Sequence, residues 1–341
     1  MTIELLKNKL CNLLGDSSQI ARSNFSRRRS MIRLLKFVIT VPTFLFIGCT
    51  NEDDSFLVSW IMVGVNNSTQ QADAHLILGG GKVILIDTGH QNTIHALFNE
   101  LKFRNIDYID AVFITHPHSD HYGGLVDLIK SKMGIGVIYM NDVSQEWMKR
   151  EWWGGNYGDL VKIRKYAMLK NITISTYDKF ESFYFNEKCK FNKLFIFNEE
   201  ELLEKGIGPD INELSLISEL KHGEYKALFT GDLNKKLSNW LLENEKEQIS
   251  CDVLKVPHHG TEGLASNDFF QATEAKICLV PSPTHLWESN RSSRPREVFE
   301  KMGSKVFLNG ELGSVTVDFR SSGVRVHSST RRNLFSLNKI N

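Results

Sequence analysis

The sequence predicts an α/β domain built as a four-layer αββα sandwich, two mixed sheets packed face to face with helices outside. Three observations predict it. Short apolar, β-branched runs alternate with helical stretches along most of the 341 residues. These elements fall into two similar halves, each opening with a hairpin, which is the pattern of sheets covered by helices. Finally, 41% hydrophobic and 24% charged residues describe a chain able to bury a full core, which excludes global disorder.

The elements follow in order. Residues 56–65 are apolar and β-branched, and 74–78 with 82–87 form a hairpin around Gly79-Gly80-Gly81. Ile94, Leu97, Phe98 and Leu101 give 93–103 a helical rhythm, and 111–115 is a buried strand ending at His116. A helix at 124–132 and a strand at 137–140 come next. The stretch 142–210 reads as a less regular, aromatic insertion, with Trp147, Trp152, Trp153 and Tyr157 near Gly154-Gly155. A second hairpin joins 213–220 to 225–230 through the turn 221–224. Helix 235–247, strands 252–256 and 276–280, helix 296–302 and strands 305–308, 314–319 and 324–326 complete the chain.

The net charge of +1 hides an asymmetry: residues 1–48 carry +6 and the remainder −5. A mildly acidic body does not favour docking a long polyanion by charge alone. Arg27-Arg28-Arg29 precede an apolar run that ends at Gly48, the layout of an export signal in residues 1–48 and too short to span a bilayer. Phe46-Ile47-Gly48-Cys49 resembles a bacterial lipoprotein cleavage box, with Phe46 where Leu is usual, so Cys49 is the expected lipid anchor and 49–55 a polar tether. Met31 stands where an ordinary signal would begin, which makes 1–30 an upstream extension; alternatively Arg28-Arg29 belong to a twin-arginine export motif. The expected location is therefore outside the cytoplasm of a bacterium, periplasmic or membrane-anchored. Five cysteines are too few and too scattered for a disulfide framework or a Cys-rich zinc module, so any metal falls to His and carboxylates.

His116-Pro117-His118-Ser119-Asp120-His121 places four ligand-type side chains in six residues, directly after an apolar strand. Such a turn can point His116 and His118 to one side and Asp120 and His121 to the other, as two adjacent cations require. Neutral imidazole suits zinc and a carboxylate adds the charge that holds it.

These residues carry a resemblance to the metallo-β-lactamase fold superfamily. Ile86-Asp87-Thr88-Gly89, the His116–His121 cluster, Thr230-Gly231-Asp232 and Val256-Pro257-His258-His259-Gly260 match its motifs in order. Lys255 through Gly260 after Thr-Gly-Asp looks most like the hydrolase domain of the bacterial competence DNA-uptake channel and its stand-alone relatives. The resemblance covers essentially residues 56–327 of an expected domain 56–341 and implies His116 and His118 on one metal, Asp120, His121 and His258 on the other, and Asp232 bridging. It makes Asp87 an acceptor that orients a ligand His. Where many members supply a third His this chain has Asn212, a weaker ligand, so the implied cofactor is one or two Zn²⁺, with Mn²⁺ an alternative.

The implied chemistry is hydrolysis by a metal-bound hydroxide, with Asp120 orienting it and His259 donating a proton to the leaving group or contacting an anion. His285, Arg291 and Arg294 follow a strand end and are the candidate substrate contacts. A phosphodiester in a nucleotide or DNA is the leading substrate. The alternatives are a hydrolase of small esters, lactones or β-lactams, and a non-catalytic metal-binding lipoprotein. No protein partner is expected, and the membrane is met only through the lipid.

Overall fold

The computed structural model describes residues 56–65, 68–261 and 263–339. The expected export signal, the Cys49 anchor and the 49–55 tether lie outside the described residues. Among those described, no helix is long and apolar enough to cross a membrane.

The chain begins with β1 (Val58–Met62), the hairpin β2 (His75–Gly79) and β3 (Lys82–Ile86), α1 (Ile94–Phe103), β4 (Tyr108–Ile114), α2 (Ser119–Tyr122), α3 (Leu125–Lys130) and β5 (Gly134–Met140). It continues through α4 (Gln145–Arg150), α5 (Tyr157–Leu169), β6 (Thr173–Ser175), the hairpin β7 (Ser182–Asn186) and β8 (Cys189–Phe195), and α6 (Glu199–Glu204). Next come β9 (Ile217–His222), β10 (Tyr225–Phe229), α7 (Lys235–Asn244), β11 (Val253–Lys255), α8 (Asn267–Thr273) and β12 (Ile277–Val280). The last elements are α9 (Thr284–Trp287), α10 (Ser293–Met302), β13 (Lys305–Leu308), α11 (Asn309–Leu312), β14 (Val315–Arg320), β15 (Gly323–Ser328) and β16 (Phe335–Leu337).

Two mixed sheets result, one of nine strands in the order β16-β15-β14-β1-β2-β3-β4-β5-β6 and one of seven in the order β13-β12-β11-β10-β9-β8-β7. Side chains alternate across each strand, and both faces are covered. Trp60, Ile84, Phe113 and Val317 from one sheet meet Phe191, Phe229, Val253 and Leu279 from the other in an inter-sheet core. The intervening Ile61, Leu85, Val112, Leu228 and Leu254 pack outward against helices through Leu97, Leu128, Leu237 and Phe269. Burial on both faces is why these strands read as nearly continuous apolar runs.

The structure corrects the reading of 142–210 as an irregular insertion. Trp147, Trp152, Trp153 and Tyr157 lie on α4, the following turn and α5, while the phenylalanines further along alternate as strands: Phe183, Phe185 and Phe191 line the inter-sheet core, and β7 and β8 extend the second sheet beside β9. β6 pairs in parallel with β5 and forms the edge of the first sheet. The second hairpin also starts later than expected, because Ile211–Leu214 is a 3₁₀ turn. Cys189, Cys251 and Cys278 are free and buried, and burial pushes Cys189 and Cys278 up to about 12, so none is a reactive thiol.

Candidate metal centre

The carboxyl ends of parallel strands gather the site, the usual place for function in such sheets. β3 runs parallel to β4, and β10, β11 and β12 run parallel to one another. Asp87 therefore follows β3, His116 follows β4, Asp232 follows β10, and His258 and His259 follow β11. Two backbone features aim these side chains. Gly231 sits at φ 51°, where an added Cβ would stand 2.5 Å from Ser215 Oγ, and that hydroxyl accepts the Asp232 N–H at 2.9 Å. His258 and His259 both adopt left-handed backbone, φ 48° and 54°, a conformation that costs energy for L side chains and is kept where function needs it.

Three of the histidines have their tautomer set by an acceptor behind the ring, and a fourth, His116, is backed by two hydroxyls. His121 Nδ1 donates to Asp87 Oδ2 at 2.7 Å, and His259 Nδ1 donates to the Pro281 carbonyl at 2.9 Å. His116 Nδ1 lies 3.1 Å from Thr115 Oγ1 and 3.3 Å from Ser215 Oγ, while His118 Nε2 is 3.0 Å from Glu151 Oε2. A carboxylate or carbonyl can only accept. The ring nitrogens left for a ligand are thus Nε2 of His121 and His259 and Nδ1 of His118, and His116 turns its Nε2 to within 3.2 Å of that Nδ1.

The spacing of these donors fits metal ions. Two donors ~2.1 Å from a tetrahedral zinc stand ~3.4 Å apart, and His116 Nε2 is 3.2 Å from His118 Nδ1. Asp232 Oδ2 is 3.2 Å from both His121 Nε2 and His259 Nε2, and Asp120 Oδ2 is 3.2 Å from His259 Nε2. Nε2 of His121 and of His259 are buried without a hydrogen bond aimed along the N–H direction, and Asn212 Oδ1 is likewise buried and unpartnered. Orphaned buried polar atoms of this kind are costly unless a ligand completes them.

A second charge cluster lies behind the rings. Asp73, fully buried just before β2, stands 3.7 Å from Nδ1 of both His121 and His259. Asp73, His121, Asp232 and His259 can bring one ligand atom each within 4.8 Å of one another. On that side, however, the cation is already supplied by the protein: the Lys255 ammonium pairs with Asp73, lies 3.3 Å from Asp232 Oδ1 and donates to the Gly231 carbonyl at 2.7 Å. Asp73 is a counter-charge, and Asp232 presents its free Oδ2 to the front.

The front is a cavity of about 940 Å³, lined by His118, Asp120, Asn212, Asp232, His258 and Arg291 together with Trp153 and Gln71. The model of the metallo-beta-lactamase superfamily matches residues 68–281, which hold every His and Asp of the cluster but not Arg291. The chain belongs to that superfamily. Among curated relatives it is 24% identical over 117 residues to the uncharacterized protein YcaI of Escherichia coli, covering 34% of this chain and 16% of that one. It is 22% identical over 225 residues to ComE operon protein 3 of Bacillus subtilis, covering 65% of this chain and 26% of that one. The chain thus spans about a quarter or less of either relative. Among solved structures, the metallo-beta-lactamase fold protein YhfI of Bacillus subtilis superposes with TM-score 0.48 at 14% identity, covering 74% of this chain and 96% of its own. Zn²⁺-bound PqqB of Methylobacterium extorquens gives 0.46 at 12%, covering 76% and 100%.

Within this metallo-beta-lactamase frame, the side chains of His116, His118, Asp120, His121 and Asp232 come together, and Asp87 stands behind His121, also holding the Thr115 N–H at 2.8 Å. The two histidines of the last motif are placed the other way round from what the resemblance implies. The left-handed turn puts His259 among Asp120, His121 and Asp232, whereas His258 donates Nδ1–H to Asn234 Oδ1 at 2.8 Å and lines the cavity. Spacing alone could not decide between adjacent histidines. Two substrate candidates also move away. His285 is exposed on α9 and does not line the cavity, and Arg294 ties down the segment before α8 through Asn267 Oδ1 at 2.7 Å and the Leu264 carbonyl at 2.8 Å. Arg291 remains, donating to Gln71 Oε1 at 2.5 Å, and Gln71 in turn donates to Asp120 Oδ2 at 3.1 Å. Sequence reasoning missed Asp73, Gln71, Glu151 and the role of Lys255. The one available signal was a lysine inside the apolar run Val253-Leu254-Lys255-Val256.

Burial disfavours charge on His259, but Asp232 and Asp73, with Asp120, outweigh it and raise it to about 10. Asp232 and Asp87 raise His121 against the same burial penalty. Burial instead drives His116 well down, helped by the neighbouring His121. A raised pKa means a proton held at neutral pH, which a cation must displace. Calorimetric titration of the metal-free protein with Zn²⁺ at pH 7, in buffers of different ionisation enthalpy, is expected to show proton release from His121 and His259, with affinity rising as pH rises toward 10; uptake without proton release would contradict this. Lys255→Met should strand Asp73 as an unpaired buried charge and cost about 3–5 kcal/mol, read as a lowered urea midpoint.

Proposed function

We propose that this metal-dependent hydrolase acts on phosphodiesters of nucleotides or nucleic acid. The observation that carries the reading is the arm Arg291–Gln71–Asp120, which aims a guanidinium into the cavity that holds the metal donors. A guanidinium binds a phosphoryl group through paired, charge-assisted hydrogen bonds. Trp153, 67% exposed at the rim, offers a face on which a base can stack.

His116, His118, Asn212 and Asp232 would hold one cation, and Asp120, His121, His259 and Asp232 the other. Divalent ions bound there supply Lewis-acid polarisation of the scissile group and activation of water. The side chains do the rest. Asp120, 19% exposed, is the most open carboxylate of the cluster; it orients the attacking water and accepts its proton. His258, which burial keeps neutral, contacts the substrate or relays a proton at the cavity wall. Arg291 clamps a non-bridging phosphoryl oxygen while Gln71 fixes its angle.

The test is hydrolysis of bis-p-nitrophenyl phosphate by the full chain with Zn²⁺ or Mn²⁺, beside p-nitrophenyl acetate, a lactone and a β-lactam. Diester turnover should disappear in Asp120→Ala and His259→Ala and survive in part in His258→Ala. Arg291→Ala should raise KM for the diester by roughly tenfold or more, the worth of a charged hydrogen bond, and leave the neutral ester unaffected. Preference for the neutral substrates with no effect of Arg291 would move the reading to small esters or lactams.

Export and lipid attachment at Cys49 form part of the same proposal, supported by the basic stretch, the apolar run and the Phe46-Ile47-Gly48-Cys49 box. Radiolabelled palmitate should mark the protein expressed in a bacterium and fail to mark Cys49→Ala. Absence of label on both would remove the anchor.

A further inference from the structure

Glu151 ends α4, in a segment that carries no family motif, yet it reaches the metal donors. Its two oxygens face two donors: Oε2 lies 3.0 Å from His118 Nε2, and Oε1 accepts the Ile211 N–H at 2.8 Å, next to Asn212. The turn it begins is built against the same imidazole. The Gly154 N–H donates to the Glu151 carbonyl at 2.9 Å, the Gly154 carbonyl accepts the Ser119 N–H at 2.6 Å, and a Cβ on Gly154 would lie 2.4 Å from His118 Cδ2. Only glycine fits flat on that ring. The next residues continue the contact, since the Asn156 N–H donates to Tyr122 Oη at 3.1 Å.

We propose that Glu151 is a positioning residue for the first cation: it holds the proton of His118 on Nε2, so that Nδ1 faces His116 as a ligand, and it anchors the turn that carries Asn212. His118 follows β4 of the nine-stranded sheet, Asn212 lies in the 3₁₀ turn before β9 of the seven-stranded one, and one carboxylate reaches both segments. The required chemistry is acceptor on both oxygens. An amide cannot supply it. In Glu151→Gln the amide oxygen satisfies either His118 or Ile211, and the NH₂ group faces the other donor; if it faces His118, the ring must turn its lone pair to Nε2 and Nδ1 no longer ligates. The substitution is isosteric, so the loss is one of proton placement rather than volume.

The inference rests on the metal-hydrolase reading for the cation alone, and the experiment separates the two. Zn²⁺ titration of the full chain should show two classes of site, with Glu151→Gln weakening one class about 10–100-fold and leaving the other, along with the thermal midpoint, near the parent value. Two classes of unchanged affinity in Glu151→Gln would overturn the inference and leave the hydrolase intact, whereas failure of the parent protein to bind any metal would overturn the hydrolase reading itself. A second measurement needs neither metal nor variant. Nitrogen-15 NMR of the metal-free parent protein should find the proton of neutral His118 on Nε2; a neutral His118 with its proton on Nδ1 would sink the inference.

Discussion

The site depends on one buried ammonium. Asp73, Asp87 and Asp232 are almost completely shielded from water, and a cluster of carboxylates in that setting would protonate or force the sheets apart without compensation. Lys255 stands between Asp73 and Asp232, itself buried and held in its charged form by both despite the burial penalty. It neutralises the rear of the cluster and engages Asp232 Oδ1, leaving Oδ2 to the front. The His121 and His259 rings separate the two regions. A protein cation behind the rings thus sets the electrostatic background against which a metal in front is bound.

Much of this was legible in the sequence. The motif His116 through His121 announces its chemistry because four ligand-type side chains in six residues have little reason to follow an apolar strand otherwise. The sandwich was legible because strands covered on both faces produce continuous apolar runs. What escaped reading depends on third-dimension proximity. The choice between His258 and His259 is made by a left-handed turn and by the Pro281 carbonyl from the neighbouring strand end. Arg294 looked like an anion-binding arginine, but whether a guanidinium faces a cavity or a run of backbone carbonyls is decided by how α8 and α10 pack. The segment 142–210 misled for a different reason: its helices have mixed faces and its strands are short and aromatic, so neither period dominates.

That same segment gives the molecule its individuality. The common frame supplies Asp120 and His121 from the short helix α2 after β4, and Asp232 and His259 from the ends of β10 and β11. The Glu151–Gly154 turn adds a carboxylate to the His118 side, and at the same turn it exposes Trp152 and Trp153. The contact with the metal donors and the contact with whatever enters the cavity are therefore built on four consecutive residues. In this chain a substitution within the turn can reach His118 without altering any of the gathered donors.

The donors come from both sheets: His116 and His121 follow β4 of the nine-stranded sheet, Asp232 and His259 follow β10 and β11 of the seven-stranded one. A cation held among them is a clasp across the sandwich. No short stretch of unfolded chain contains the complete set, so loading the ion and closing the two layers are one linked equilibrium. An ion bound there would act as a mechanical fastener as well as a Lewis acid, and a chelator would loosen the seam along which the two halves of the chain meet.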